Sequence, residues 1–340
     1  MSGAPVNLYS DTQTLPTPGM RRAIAEAEVG DEQRFLDPTV TSLEERVAAL
    51  LGHESALFLP TGTMCNGIAF RLHLRPGGDE VILDRGAHPV EFEAGGPAAL
   101  SQAMTRQLDG ERGVFTAEQL EAAIRPPGDR YAPRSRLVSV EQTTNLGGGR
   151  VWPLETVRGV LAVARRHRLR AHMDGARLMN AAVASGVPPS DWAAGFDTAW
   201  LDFSKGLGAP VGAVLCGSRE LIDEAWRLKQ MWGGALRQAG VLAAACIYAL
   251  DHHVERLADD HANASLLAAG LARLGLEVLE PETNIVFARA PDAARLVARL
   301  GEAGVDVQLA APDRIRCVTH LDVDRDGVER ALAAFRAALG

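Results

Sequence analysis

From about residue 42 to residue 245, short apolar runs alternate with stretches of helical periodicity, and nothing else in the chain constrains the fold as tightly. The runs predict strands at 56–59, 80–83, 137–141, 170–173, 198–203 and 211–216. Several are apolar at nearly every position, which a strand needs when both of its faces are covered; a strand with one wet face alternates instead. Helical patterns fall between them. Residues 42–51 read as a helix, with Ser42 and Glu45 at capping-box spacing, Leu43, Val47, Leu50 and Leu51 as its stripe, and Gly52 as its stop. A second helix is read at about 154–167. Strands alternating with helices are joined by right-handed crossovers, so the expected fold class is α/β, a mainly parallel central sheet with helices on both faces.

Beyond residue 239 the pattern changes. Ala/Leu-rich helix spans 239–274, then come a strand at 284–288, a helix at 292–303, strands at 305–309 and 314–318, and a last helix at 324–339. That order predicts a smaller α+β C-terminal domain, dividing the chain into 1–245 and 246–340. A length of 340 residues is enough for both cores. The net charge of −8 is spread along the chain, which argues against a nucleic-acid surface. The basic cluster Arg165-Arg166-His167-Arg168 ends a helical pattern and reads as a dipole partner on a solvated face. Cys65, Cys216, Cys246 and Cys317 lack CxxC spacing and read as buried thiols in a reducing compartment. Residues 1–5 lack the charged and apolar regions of a leader, and no apolar stretch reaches the ~20 residues a membrane span needs, so a cytoplasmic location is expected.

The chemistry gathers at strand ends. Lys205 follows the run 198–203, and Asp174 ends the run 170–173, 31 residues earlier. An amine that condenses with an aldehyde and an acid that holds a pyridinium nitrogen are what pyridoxal phosphate chemistry requires. Thr61-Gly62-Thr63, between a strand and a helical pattern, offers backbone N–H groups and a positive dipole end for a phosphate. His88, a few residues past the run 80–83, could stack on the ring. Each piece has a plainer reading alone. Asp174-Gly175-Ala176-Arg177 could be a turn with a surface ion pair, Thr61-Gly62-Thr63 an ordinary strand-to-helix turn, and His88 a structural histidine. Gly206-Leu207-Gly208 invites a dinucleotide reading that fails, because a strand follows where a pyrophosphate site needs a helix. The order of the four pieces lifts the set above its members. A metal site on His88, Glu91 and Glu93 is opposed by Pro89, which breaks helical ligand spacing, and His252, His253 and His261 lie in a charged helical stretch; no metal is expected.

A succession of motifs covers nearly the whole chain: Ser10-Asp11-Thr12, Val29-Gly30-Asp31, Asp37-Pro38-Thr39, Thr61-Gly62-Thr63-Met64, His172-Met173-Asp174-Gly175-Ala176-Arg177, Ser204-Lys205-Gly206-Leu207, Ala209-Pro210-Val211-Gly212, Arg237-Gln238-Ala239-Gly240, and Arg316 with Val318-Thr319-His320. In these the chain resembles the L-threonine aldolases of low-specificity type, in the β-eliminating lyase group of fold-type I pyridoxal-phosphate enzymes. The resemblance implies pyridoxal 5'-phosphate as cofactor, with Lys205 binding it, Asp174 holding its ring nitrogen, and Gly62 and Thr63 contacting the phosphate. Arg237 would help from a neighbouring subunit. His88 would stack on the ring and serve, directly or through water, as the base for the substrate hydroxyl. Arg177 would lie near the ring hydroxyl and the substrate carboxylate, with Arg316 and Ser10 as the carboxylate clamp. Implied too are cleavage of L-β-hydroxy-α-amino acids to glycine and an aldehyde, and a homo-oligomer, a dimer of dimers with active sites at subunit interfaces. β-Elimination, transaldol exchange and racemisation would use the same lysine and aspartate and stay open at this point.

The chain departs from the family pattern where a substrate pocket is expected. Arg34, Phe35 and Leu36 replace a tyrosine, a glycine and an acid; Pro89-Val90-Glu91-Phe92 replaces a run of aromatics; Thr144 stands for a histidine; Gln230 stands for a lysine. Either the rim tolerates drift or specificity has changed, with Thr144 beside the substrate and Arg34 as a cation for an additional acid.

Overall fold

The computed structural model describes residues 5–340; the leader reading at 1–4 lies outside them. Seven strands form the central sheet, in the spatial order Met104–Leu108, Asp79–Asp84, Arg134–Glu141, Arg170–Asp174, Thr198–Asp202, Ala213–Gly217, Ser55–Leu59. The first five run parallel, and Ala213–Gly217 is antiparallel to both of its neighbours. Six strands therefore end on one edge of the sheet, where ligands of open α/β sheets bind.

All six expected strands are present, and Met104–Leu108 adds a seventh. It has no apolar run because it is an edge strand with half its surface wet: Met104 is 50% exposed and Thr105, Arg106 and Gln107 follow it. The first expected helix begins earlier than residue 42. It spans Pro38–Leu51, with Asp37 Oδ1 accepting from Val40 N at 3.1 Å and Pro38 at the first turn. Ser42 and Glu45 are thus inside the helix and form no capping box. Gly52, at φ 71°, ends it as expected.

A second core lies in the C-terminal part. Gln308–Ala311, Arg314–Val318, Ile285–Arg289 and Glu277–Leu279 form an antiparallel sheet in that order. The helices Leu257–Arg273, Ala293–Glu302 and Arg325–Leu339 bury Leu267, Leu271, Leu296, Leu300, Val328 and Phe335 against it. Position 245 falls within the helix Gly240–His252, whose Ala243, Ala245, Cys246 and Ala249 belong to the large core. The N-terminal strand Val6–Asn7 pairs with Val305–Asp306, and Val6 and Leu8 pack in the small core. All four cysteines are buried and free, and Arg166 and His167 bond Glu121 at the surface. No helix among the described residues is long and apolar enough to cross a membrane.

Candidate active site

Asp174 closes the strand Arg170–Asp174, and the neighbouring strand Thr198–Asp202 leads through Phe203 and Ser204 to Lys205. Both side chains line one cavity of about 260 Å³, with Thr61, Gly62, Thr63 and His88. Lys205 Nζ bonds the Asp202 carboxylate and lies 5.8 Å from the centre of the Trp200 ring. The Lys205 carbonyl accepts from Thr14 Oγ1 at 3.0 Å and Gly208 N at 2.8 Å, which fixes the loop that presents the amine.

Asp174 is buried, with Oδ2 accepting from Asn66 Nδ2 at 2.8 Å and Oδ1 from Ala176 N at 3.1 Å. Burial pushes its carboxyl above the usual range; His88, the Asn66 hydrogen bond and Lys205 work against that shift, and Glu93 adds to it. A buried carboxylate in this position gains by meeting a cation, which a protonated pyridine nitrogen would be.

Thr61 caps the helix Gly62–His73, its Oγ1 accepting from Met64 N at 3.1 Å. The N–H groups of Gly62 and Thr63 have no intrahelical acceptor and sit at the positive end of the helix dipole, an arrangement suited to a phosphate. Only glycine fits at 62: a Cβ there would lie 2.2 Å from the Trp200 ring. Gly175 is equally constrained, since a Cβ would meet the Trp200 carbonyl oxygen at 1.8 Å. These close approaches pack Trp200 between the helix start and the Asp174 turn.

The remaining expected residues divide into two groups. Arg316 is buried, and its acceptors are all neutral: Asn145 Oδ1 at 2.8 Å, Gln308 Oε1 at 3.0 Å and Tyr9 O at 3.4 Å, with Nε unpaired. Tyr9 adjoins Ser10, a buried residue whose Oγ accepts from Thr12. Arg177 lies nearby but is already paired, its Nε and Nη2 donating to Asp11 Oδ2 and Oδ1 at 2.8 and 2.7 Å. Neither Arg316, Ser10 and Arg177 nor the next three residues line the Lys205 cavity within this chain. Thr144 is buried with an unpaired Oγ1 and borders a separate cavity of about 550 Å³, with Glu141 and Arg112. Arg34 is exposed on the short turn Glu32–Arg34, and Arg237 pairs with Asp31 at the surface at 3.2 Å. Gln230 is exposed too, whereas Lys229 beside it is buried and paired with Glu32.

Sequence reasoning missed three neighbours, Asn66, Asp202 and Trp200, and weighed a fourth, Glu93, only as a metal ligand. His88 Nδ1 lies 2.9 Å from Glu93 Oε1, so the pair weighed as a metal site instead forms a hydrogen bond, and Glu91 is exposed. His253 Nδ1 meets the Leu207 carbonyl at 2.7 Å, and His261 meets Asn180 at 3.2 Å. Among the described residues no group of three or more His, Cys, Asp or Glu side chains is placed to hold a metal ion.

Known proteins similar to this chain point to one family and share its fold. A family model described as beta-eliminating lyase matches residues 7–293. Low-specificity L-threonine aldolase 1 of Arabidopsis thaliana is 39% identical, over 98% of this chain and 96% of that protein. Low specificity L-threonine aldolase of Escherichia coli (strain K12) is also 39% identical, over 98% and 99%. Among solved structures, the Leishmania major threonine aldolase superposes with a TM-score of 0.86 at 20% identity, covering 99% of this chain and all (100%) of that one. A structure of SPT with PLP gives 0.75 at 19% identity, over 98% and 87%. The fold is that of the fold-type I pyridoxal-phosphate enzymes, with a small antiparallel C-terminal sheet beside the large one.

Proposed function

The chain belongs to the β-eliminating lyase family, and from that membership we propose that it is a pyridoxal-phosphate-dependent aldolase cleaving L-β-hydroxy-α-amino acids to glycine and an aldehyde. One observation carries the reading: Lys205 and Asp174, from neighbouring strands, line a single cavity with the helix start at Gly62 and Thr63. Pyridoxal phosphate held there would supply an aldehyde for the lysine and a ring that takes up the electrons left at the substrate Cα. The protein's own residues do the rest. The Gly62 and Thr63 N–H groups would bind the phosphate. Asp174 would hold a protonated ring nitrogen, and Asn66 and the Ala176 N–H hold its two oxygens in place. Asp202 holds the Lys205 amine at the cavity, where the cofactor's aldehyde would meet it. Arg316 holds the substrate carboxylate, and His88 takes the β-hydroxyl proton through the ring nitrogen that Glu93 does not engage.

An absorbance band near the visible edge is expected, lost on borohydride treatment and in Lys205→Ala. L-Threonine, L-allo-threonine and L-phenylserine should each give an aldehyde with an equal amount of glycine; a product without glycine would replace retro-aldol cleavage by another reaction at the same site. We assign the protein to the cytoplasm on its four unpaired, buried cysteines. A homo-oligomer, a dimer of dimers, is supported by the face holding Arg237, Phe35 (70% exposed), Leu36 (56%) and Met231 (67%). A monomer at micromolar concentration in sedimentation would end that assignment.

A further inference from the structure

The indole N–H of Trp200 can only donate a hydrogen bond. It lies 2.8 Å from Asn66 Oδ1, so this atom is the amide oxygen and the orientation of the Asn66 side chain is settled. Asn66 Nδ2 then faces two carboxylates, Asp174 Oδ2 and Glu93 Oε1, each at 2.8 Å. As a carboxylate Glu93 only accepts, and the same Oε1 lies 2.9 Å from His88 Nδ1. Nδ1 must therefore carry a proton. In the neutral ring that leaves Nε2 bare, with no protein partner among the described residues, on a side chain that lines the cavity with Lys205 and Asp174.

A side branch of the network carries no charge. His172 Nε2 lies 3.1 Å from Asn66 Oδ1 and its Nδ1 lies 2.8 Å from Thr198 Oγ1; burial holds its ring neutral, down to about 3.

We propose that Glu93 is a positioning residue which, with Asn66 and Trp200, fixes His88 as the Nδ1–H tautomer and makes Nε2 the atom that takes the substrate's β-hydroxyl proton. Only the last part rests on the aldolase reading. In that step the O–H electron pair forms the aldehyde C=O and the proton passes to Nε2. The imidazolium so formed faces the Glu93 carboxylate, and the Cα–Cβ electron pair stays with the glycine fragment, where a proton replaces the lost carbon.

The test uses the holoenzyme labelled with ¹⁵N-histidine, with the His88 signal assigned by its loss in His88→Asn. Long-range ¹H–¹⁵N spectra of the wild type should show the neutral His88 ring protonated at Nδ1. In Glu93→Gln, whose amide can donate to Nδ1, the pattern should move toward Nε2–H; Glu93→Asp should retain Nδ1–H. With L-threonine, kcat of Glu93→Gln should fall about 100-fold while KM stays within about threefold, and Glu93→Asp should recover at least about tenfold of the loss. A wild-type ring protonated at Nε2 overturns the proposal without any variant, and so does a Glu93→Gln spectrum unchanged from wild type. Should the tautomers behave as expected while the wild type releases no aldehyde, the positioning role stands and the aldolase reading fails.

Discussion

Arg316 is a buried cation with only neutral acceptors, an uncommon state for a guanidinium. Burial brings it down to about 10, and the nearby Arg177 pushes the same way while Asp11 opposes both. It stays charged at neutral pH, and its Nε has no partner among the described residues. An arriving carboxylate would offer two acceptor oxygens to a planar fork, whereas Arg177 has already spent its fork on Asp11. Lysine at 316 would keep the charge and lose the paired geometry. Hydrogen bonds to charged groups contribute roughly 1.5–3 kcal/mol, so Arg316→Lys should raise KM for L-threonine by about 10- to 100-fold, with kcat changed by less than about threefold. Steady-state kinetics decide it: an unchanged KM would remove Arg316 from the carboxylate site.

Ser55–Leu59 is an edge strand, and exposed edges invite pairing with other chains. Glu44, on the helix Pro38–Leu51, covers part of it by accepting from Phe58 N at 2.8 Å. Burial raises this carboxyl to about 7, against the pull of the Phe58 hydrogen bond and with Asp37 adding to the rise. A carboxyl raised on folding contributes stability that is complete below its ordinary value of 4.5 and lost as pH climbs through about 7. Glu44→Gln keeps the acceptor and removes the titration. It should therefore leave stability at pH 5 nearly unchanged and raise it at pH 8 by about 1–2 kcal/mol, allowing for partial exposure. Urea melts at both pH values would show this, and equal effects at both would exclude Glu44 as the titrating group. The same pair of elements shows what sequence can and cannot disclose. Ala56, Leu57, Phe58 and Leu59 are buried on both faces, so their strand is legible as an apolar run, while Met104–Leu108 at the opposite edge is half wet and leaves no run. Lys205, Asp174, Gly62 and Thr63 were legible because strand ends and helix starts carry local signatures. Asn66, on the second turn of its helix and 108 residues from Asp174, has no such signature; its neighbours exist only once the sheet has brought the strands together.

The two cores meet at Asp11. The segment that carries it packs Val6 and Leu8 in the small core, Asn284 of that part donates to its Oδ2 at 3.0 Å, and Arg177 of the large part holds both its oxygens. Burial alone would raise the Asp11 carboxyl, but Arg177, with Arg316 and Lys205 beyond it, holds it well below the usual carboxylate range. A carboxylate lowered in this way contributes stability above its ordinary value of 3.8, and the contribution is lost only as pH falls further toward the lowered value. Asp11→Asn would leave the buried Arg177 charge without its hydrogen-bonded counter-charge, with only Glu141 and Asp202 acting on it from further off, at a cost of about 3–5 kcal/mol. The deficit against wild type should hold steady from pH 8 to about pH 4 and shrink only below that. Replacing both members, Asp11→Leu with Arg177→Leu, removes the unpaired charge and should recover most of the stability while abolishing catalysis. Recovery would identify the pair as a charge-balanced joint between the cores. If the double variant were as unstable as Asp11→Asn, the loss would come from packing around the segment, and the electrostatic account of the joint would be wrong.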